Sequence, residues 1–345
     1  MKSLAISLIK KVWKLLKPLY NKEIKISKIN RIVVILLGGI GDVLMCTAAL
    51  RLLRKKFPNA RIEVIAHSWS AQILNGNSFI DEIVFNPENS LEFVSLLKKR
   101  KYDLAVILEI FQENIYAYLA GIPYRIGYNI DGEDIFLNKS LKLGKETNYI
   151  NYSLNVINLI KKSPYKESPS LDLYLSKSDI QFSEKLLKPF KGKVIIGINA
   201  GGGVNPWVKS PGKRWPAERY TQLIETLASK NRIFILFGDK NDSLISDKIK
   251  SLLNKAKVVD FSGKTSIKEA AAIIKKCKLF ITNDSALMHV ASAMNTPTIS
   301  LFGPTNPKRL APLNKNSTYI WQGNDINKIS IKEIITAIKK NKAIK

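Results

Sequence analysis

Cysteine and histidine are scarce in this sequence, and their scarcity excludes several classes of protein. The 345 residues include two cysteines, Cys46 and Cys277, and two histidines. Two cysteines are too few for a disulfide framework, and no cluster of cysteine and histidine has the spacing of a metal site. We therefore expect a protein of the reducing cytoplasm that holds no metal and no cofactor.

Long apolar runs and acidic residues are also in short supply. No run reaches the roughly 20 apolar residues that a membrane-spanning helix needs, and charged residues interrupt any signal-peptide core, so we expect a chain that neither spans a membrane nor is exported. Only 28 acidic residues oppose 55 basic ones, which gives a net charge of +27. That charge attracts a polyanion, whether nucleic acid, acidic lipid or a phosphorylated glycan, and does not choose among them.

Short β-branched apolar runs are abundant and alternate with amphipathic stretches, which is the pattern of parallel strands joined by crossover helices. The strands predicted in the first half are residues 32–37, 61–67, 80–85 and 103–108. Those predicted in the second half are residues 194–200, 232–237, 258–260, 279–282 and 297–302. The class is α/β, with two doubly wound halves separated by the linker-like KKSPYKESPS at residues 161–170.

The first half contains a glycine-rich turn, LLGGIGDVL at residues 36–44, between a predicted strand and helix. Glycines let a backbone approach a ligand, but Leu44 stands at the third glycine of a dinucleotide fingerprint, which disfavours a nicotinamide-dependent oxidoreductase. Asp42 has two interpretations. It is either the N-cap of the following helix or a general base that takes a proton from a sugar hydroxyl.

The second half contains two stretches that suit an anionic ligand. In NAGGGVNPWVKSPGKRWP, at residues 199–216, a strand ends in three glycines, and Lys213 or Arg214 could face a diphosphate. The alternative there is a solvated basic turn. NDSALMH at residues 283–289 introduces a helix whose amides could hold phosphate, with simple capping as the alternative and with a structural role for His289.

A third stretch, FGDKND at residues 237–242, follows another predicted strand. Nucleosides commonly bind at such positions in open α/β sheets, and carboxylates there bind ribose hydroxyls. Gly238, Asp239 and Asp242 are therefore candidates for nucleoside binding.

Three motifs taken together resemble those of the lipopolysaccharide heptosyltransferases of glycosyltransferase family 9. They are GGIGDVLMCTAALRLLRKKFPNARIEVIAH, GKRWPAERYTQLI and NDSALMHVASAMNTPTISLFGPTNP, in the order and spacing of that family. The resemblance covers roughly residues 31–312 and implies a GT-B fold, in which two Rossmann-like domains face an interdomain cleft. From the resemblance and the linker together, we predict a basic amphipathic N-terminal helix at 1–27, a first domain at 28–174, a second domain at 175–326 and a basic C-terminal helix at 327–345. The resemblance implies that the first domain binds the acceptor and the second the nucleotide sugar.

The resemblance also implies roles for single residues. Asp42 looks like the catalytic base, with Gly41 and the Arg125 of RIGY on the acceptor side, although a surface ion pair is the alternative for Arg125. The residues implied in binding the donor diphosphate are Lys213, Asp284, Ser285, Ala286 and Leu287. The glycine turn adds Gly201 and Gly202 as candidate donors of backbone amides. The GGGVNPWVKSPG segment before Lys213 departs from the pattern of the family.

The resemblance implies a metal-independent, inverting transferase that moves heptose from ADP-heptose to the inner core of lipopolysaccharide. Within the fold, the alternative is a transferase that uses another nucleotide-diphosphate sugar. Outside it, the alternative is a non-catalytic basic protein that binds membrane or nucleic acid. No nucleic-acid recognition motif accompanies the charge, so we expect no nucleic-acid partner.

The first 20 residues, MKSLAISLIKKVWKLLKPLY, predict an amphipathic helix with leucines on one face and lysines on the other. Through Lys28, eight lysines against one glutamate give a local charge of +7, which is typical of helices that lie on anionic membranes. We therefore expect a cytoplasmic protein associated peripherally with the inner face of the inner membrane. The alternative is a helix packed on the first domain.

Overall fold

The computed structural model describes residues 26–108, 113–129, 133–142, 144, 147–160, 167–203 and 210–341. The chain divides into two compact units, Met1–Ser168 and Pro169–Lys345. The division falls a few residues before the predicted one at 174, because Leu171 and Leu173 are buried and Lys268 Nζ donates to Tyr174 O within the second unit. The membrane helix predicted at residues 1–20 lies outside the described residues, which begin with a short 3₁₀ turn at Ile26–Lys28.

The first unit is built on a six-stranded parallel sheet. Its strands are β1 Arg31–Leu36, β2 Arg61–Ala66, β3 Glu82–Phe85, β4 Leu104–Ile107, β5 Tyr124–Asn129 and β6 Lys139–Lys142. Its helices are α1 Ile40–Met45, α2 Thr47–Lys56, α3 Ser68–Ala71, α4 Ser90–Arg100, α5 Glu113–Leu119 and α6 Tyr149–Asn158. The four predicted strands are confirmed as β1 to β4, and the sequence did not predict β5 and β6.

The second unit is built on a sheet of the same size and kind. Its strands are β7 Val194–Asn199, β8 Arg232–Leu236, β9 Val258–Asp260, β10 Leu279–Asn283, β11 Thr298–Phe302 and β12 Ser317–Trp321. Its helices are α7 Lys177–Leu187, α8 Ala217–Leu227, α9 Ser243–Leu252, α10 Ile267–Ile274, α11 Ala286–Ala293, α12 Pro307–Leu310 and α13 Ile331–Asn341. The five strands predicted here are confirmed, and β12 was not predicted.

The two sheets share one strand order. It runs β3-β2-β1-β4-β5-β6 in the first unit and, read from the matching edge, β9-β8-β7-β10-β11-β12 in the second. This is the order of a Rossmann sheet, in which ligands bind beyond the carboxyl ends of the strands where the order reverses. The reversal falls between β1 and β4 in one sheet and between β7 and β10 in the other. A ligand is therefore expected to bind at the loops that follow β1, β7 and β10.

The core of the second unit includes the C-terminal helix. Ile334 and Ile338 of α13 are buried in the same apolar cluster as Trp215 and Tyr220, whose rings meet edge to face with centroids 5.0 Å apart. The helix predicted at 327–345 is present as α13, and one of its faces completes this core. Within the described residues, no helix is both long enough and apolar enough to cross a bilayer.

Candidate active site

Asp42 lies at the carboxyl edge of the first sheet, in the turn that follows β1. Helix α1 begins at Ile40 with Gly39 as its N-cap, so Asp42 is the third residue of the helix and not its N-cap. Its Oδ2 accepts the Gly39 N–H at 2.9 Å, while the residue itself is exposed. Capping and an accessible carboxylate therefore coexist at this residue, with Gly41 beside it in the same turn.

The indole of Trp69 and the carboxylate of Asp42 both approach Gly39, an arrangement that the sequence did not predict. A Cβ built on Gly39 would lie 3.1 Å from Asp42 Oδ2 and 3.9 Å from the outer carbon Cη2 of Trp69, so both groups approach the same point. Trp69 is half-buried in α3 and stacks on His67, with ring centroids 5.8 Å apart and planes 10° from parallel. The outer edge of the indole and the Asp42 carboxylate thus lie on the same side of the Gly39 backbone.

In the second unit, Trp215 fixes the position of the basic pair that precedes it. Its indole is buried, and Nε1 donates to Ile329 O at 3.1 Å, which anchors the KRWP segment to the core. Lys213 Nζ lies 2.7 Å from Asp284 Oδ2, and the same oxygen accepts Thr305 Oγ1 at 2.7 Å. Asp284 is buried, so its carboxylate holds the lysine in place and does not present itself to an anion.

Helix α11 begins beside this ion pair. Ser285 is its N-cap, and the first-turn amides of a helix, here those of Ser285, Ala286 and Leu287, have no acceptor within the helix. His289 is buried on the next turn, and burial lowers its pKa to about 4, with Asp284 raising it and Lys213 lowering it by smaller amounts. The ring is therefore neutral at pH 7, and the positive charge at this edge comes from Lys213.

The turn after β7 is held from several sides. Gly201 N–H donates to Asn199 Oδ1 at 3.1 Å, and Gly202 N–H donates to Asp242 Oδ1 at 3.2 Å. Asn283 Nδ2 donates to the carbonyls of Ala200 and Gly201 at 2.8 and 3.0 Å. Because these two glycine amides already have protein acceptors, the turn offers a close-approach surface, and its amides are not the free phosphate donors that the sequence suggested.

Arg214 and Asp242 form an ion pair with each other. Arg214 Nη2 lies 2.9 Å from Asp242 Oδ1, and Asp242 is buried. Asp239 is exposed and caps the short turn at Lys240–Asp242, where its Oδ1 accepts the N–H of Asn241 and of Asp242. Of the three nucleoside candidates, Gly238 and Asp239 stay predictions, whereas the carboxylate of Asp242 is committed to the protein.

Arg125 lies far from the carboxyl edge of its sheet. It is the second residue of β5 and pairs in register with Ala105, near the start of β4. Its guanidinium is buried and donates to the carbonyls of Phe136 and Ile122, and burial lowers its pKa. The acceptor-binding prediction for Arg125 thus conflicts with its position, because these contacts tie the β5 entry to the Phe136 turn.

Comparison with known proteins decides the family. The model of glycosyltransferase family 9 (heptosyltransferase) matches residues 91–337, which is more than half of the chain. The chain belongs to glycosyltransferase family 9.

Individual proteins that resemble this family 9 enzyme support the same assignment. Lipooligosaccharide heptosyltransferase 2 of Haemophilus influenzae is 28% identical over 296 residues, covering 81% of this chain and 85% of that protein. Lipopolysaccharide heptosyltransferase 2 of Escherichia coli K12 is 28% identical over 312 residues, covering 84% and 87%. The solved structure of E. coli ADP-heptose LPS heptosyltransferase II superposes with a TM-score of 0.76 at 25% identity, covering 90% of this chain and 98% of that one.

The predictions of a glycosyltransferase and of a GT-B-type α/β fold are therefore confirmed. The alternatives of a non-catalytic basic protein and of an oxidoreductase are set aside by the family assignment. Two features of the site escaped the sequence, namely the approach of Trp69 to Gly39 and the pairing of Arg214 with Asp242. A tryptophan two residues after the strand predicted at 61–67 is the signal that could have identified the first.

Proposed function

We propose that this family 9 transferase moves a heptosyl group from ADP-heptose to the inner core of lipopolysaccharide. The named relatives transfer heptose to lipopolysaccharide or lipooligosaccharide. The observation that carries the proposal is the meeting of Lys213, the first turn of α11 and the glycine turn at one sheet edge of the second unit. A cation beside helix-terminal amides is a fitting receptor for a diphosphate.

On the donor side, Lys213 acts at the diphosphate. An ammonium group has three N–H donors, and the contact with Asp284 uses one, which leaves two for phosphate oxygens. Negative charge on ADP grows as the bond from its oxygen to the anomeric carbon breaks. Lys213 and the amides of Ser285–Leu287 stabilise that charge where it develops, which lowers the barrier to transfer.

On the acceptor side, Asp42 acts as the base. It takes the proton of the acceptor hydroxyl as a lone pair of that oxygen attacks the anomeric carbon, and ADP leaves with the electron pair of the broken bond. Attack from the face opposite ADP inverts the anomeric centre in one step, and no sugar–enzyme bond forms. The hydroxyl must therefore lie within hydrogen-bond reach of the exposed Asp42 carboxylate.

Trp69 is the surface on which the acceptor sugar rests. Asp42 Oδ2 and the outer edge of the indole approach the same point beside Gly39, which places both groups within reach of one sugar. The C–H groups of a pyranose carry partial positive charge and suit the negative face of an aromatic ring. This contact orients the hydroxyl toward the base and excludes water from it.

Membrane association rests on the sequence of residues 1–28 and its local charge of +7. The lipid-linked acceptor would then lie on the same surface as the enzyme. Removal of residues 1–20 is expected to abolish sedimentation with anionic liposomes while transfer to a delipidated acceptor continues. Full liposome binding by the shortened chain would contradict this role.

The function is tested by incubating the protein with ADP-heptose and a truncated inner-core acceptor and analysing the product by mass spectrometry. The acceptor is expected to gain the mass of one heptosyl residue. Other ADP-sugars and UDP-sugars form the comparison set. Transfer from one of them without transfer from ADP-heptose would favour the alternative donor, and no transfer from any would contradict the proposal.

A further inference from the structure

An ion pair in the second unit joins two loops that are distant in sequence. Arg214 Nη2 lies 2.9 Å from Asp242 Oδ1, and the two side chains are 23% and 8% exposed. Arg214 Nε also donates to Gly202 O at 2.7 Å, and Asp242 Oδ1 also accepts Gly202 N–H at 3.2 Å. The pair thus binds both backbone polar groups of one glycine. We call Arg214 and Asp242 the Gly202 clamp.

The clamp also connects this glycine to the loop after β8. The second oxygen of Asp242, Oδ2, accepts the N–H of Asp239 at 3.1 Å. Burial is the main cause that raises the pKa of Asp242, and Arg214 opposes it by favouring the ionised form. One carboxylate therefore ties the turn after β7 to the turn after β8, and the arginine helps to keep it charged.

Packing leaves little freedom at this junction. A Cβ on Gly201 would lie 2.0 Å from Asp242 Cγ, so the backbone is pressed against the carboxylate. Gly202 has φ +97°, a conformation that side chains with a Cβ rarely adopt. On the far side, a Cβ on Gly202 would lie 2.7 Å from Ser285 Cβ, the N-cap of α11. The glycine turn is thus held between the clamp and the helix terminus.

The clamp also constrains the neighbouring lysine. Residues 213 and 214 are consecutive cations bound to two different acids, since Lys213 pairs with Asp284 and Arg214 with Asp242. Any shift of the Arg214 backbone moves Lys213 as well. The geometry of the whole diphosphate receptor therefore depends on a pair of side chains that are themselves turned toward the protein.

We propose that the Gly202 clamp is a positioning device, which sets the glycine turn and Lys213 in the arrangement that receives the donor diphosphate while neither clamp residue touches the nucleotide. The proposal rests on the proposed function in taking a nucleoside diphosphate as the ligand. Two alternative hypotheses assign direct contacts instead, namely a phosphate contact to Arg214 and a ribose contact to Asp242. Each hypothesis predicts a different effect of the substitutions.

Four variants separate the possibilities: Arg214→Lys, Arg214→Gln, Asp242→Ala and the double variant Asp242→Ala/Arg214→Gln. The affinities for ADP and for inorganic pyrophosphate are measured by calorimetry. The KM values of the donor and of the acceptor are measured in the transfer assay. Asp260→Asn is the matched control, because Asp260 is 9% exposed and pairs with Lys250 at 2.8 Å in the same unit. Circular dichroism and thermal midpoints verify folding, and Arg214→Lys is the mild substitution if Asp242→Ala does not fold.

The clamp predicts that Asp242→Ala weakens ADP at least about tenfold, or about 1.4 kcal/mol, and weakens pyrophosphate by a similar factor. Arg214→Lys should lose nearly as much as Arg214→Gln, since a lysine keeps the charge but cannot bridge Gly202 O and Asp242 together. The double variant should bind ADP little more weakly than the single variant with the lower affinity, because each substitution removes the same interaction. The KM of the acceptor should not change in these variants. Asp260→Asn should bind ADP and pyrophosphate with wild-type affinity.

Three results would overturn the clamp. Affinity of Arg214→Lys close to wild type would mean that the charge of Arg214 binds phosphate directly. Loss of ADP binding in Asp242→Ala with pyrophosphate binding intact would mean a ribose contact. Wild-type affinity in all variants would mean no role at all. A wild-type protein that binds neither ligand would instead contradict the proposed function itself.

Discussion

The turns after β1 and after β7 occupy the same place in two sheets of the same strand order, yet they are built differently. The first presents an exposed acid, Asp42, at the start of a helix. The second is fixed by buried side chains that bind its backbone, with Asn199, Asn283 and Asp242 among them. Topology thus decides where a ligand can bind, and the side chains of each turn decide which chemistry occurs there.

The acids of the two turns show the difference most clearly. In the second unit, Asp284 and Asp242 are buried and each is paired with a cation, so neither repels an incoming diphosphate. In the first unit, Asp42 is exposed, which suits a group that must meet a hydroxyl. We therefore expect substitutions in the first turn to affect turnover or the acceptor, and substitutions in the second turn to affect ADP affinity.

The largest expected effect comes from removing the acid of the first turn. Asp42→Asn should lower kcat by a factor of about 100 or more, because an amide cannot accept the proton, and it should leave ADP affinity unchanged. An asparagine oxygen can still accept the Gly39 N–H, so the fold should persist. The control is Asp103→Asn, which alters an acid that binds the amides of Asn30 and Arg31 at the other edge of this sheet. Unaltered turnover in Asp42→Asn would remove Asp42 from the mechanism.

An intermediate effect is expected from the cation of the second turn. Lys213→Ala should weaken ADP by about 10-fold to 100-fold and also slow transfer, since a charge-assisted hydrogen bond to a charge that grows in the transition state is lost. It also leaves the buried Asp284 without its cation, so thermal midpoints must accompany the titrations. Lys250→Ala, which breaks the ion pair with Asp260, is the matched control. Unchanged ADP affinity and rate would refute the assigned role.

The smallest effect is expected from substitution of Trp69 in the first unit. Trp69→Ala should raise the KM of the acceptor by up to about tenfold, while Trp69→Phe retains part of the contact, because a stacking contact is worth about 0.5–1.5 kcal/mol. ADP affinity should not respond. Trp321→Ala serves as the control, since Trp321 is a partly exposed tryptophan of the second unit. A loss of ADP affinity in Trp69→Ala, with the acceptor KM constant, would contradict the acceptor contact.

Sequence patterns predicted nine of the strands, because buried parallel strands such as RIVVIL in β1 are continuous apolar runs. The strands that escaped lack this signal. β6 reads KSLK and β12 reads STYIW, both at sheet edges and mostly solvated, and β5 is interrupted by Arg125 and Gly127. A polar strand at an edge is stabilised by its neighbour and not by its own composition.

The site was predictable only where a motif is local in sequence. Asp42, Lys213 and the start of α11 lie within short recognisable motifs. Arg214 and Asp242 are 28 residues apart and meet only because the loops after β7 and β8 adjoin, so sequence suggested separate ligand contacts for them. The contacts of Arg125 also escaped prediction, since its partners are backbone carbonyls, which leave no trace in the residue types.

The division of labour between the two turns is tested most directly by hydrogen–deuterium exchange of the intact protein with and without ADP. ADP is expected to slow exchange in peptides that cover residues 199–203, 210–216 and 283–289, because the bound diphosphate accepts the amides of α11 and suppresses local opening of the second turn. Peptides that cover residues 36–46 should exchange at the same rate in both conditions. Protection confined to residues 36–46, with none in the second unit, would contradict the account.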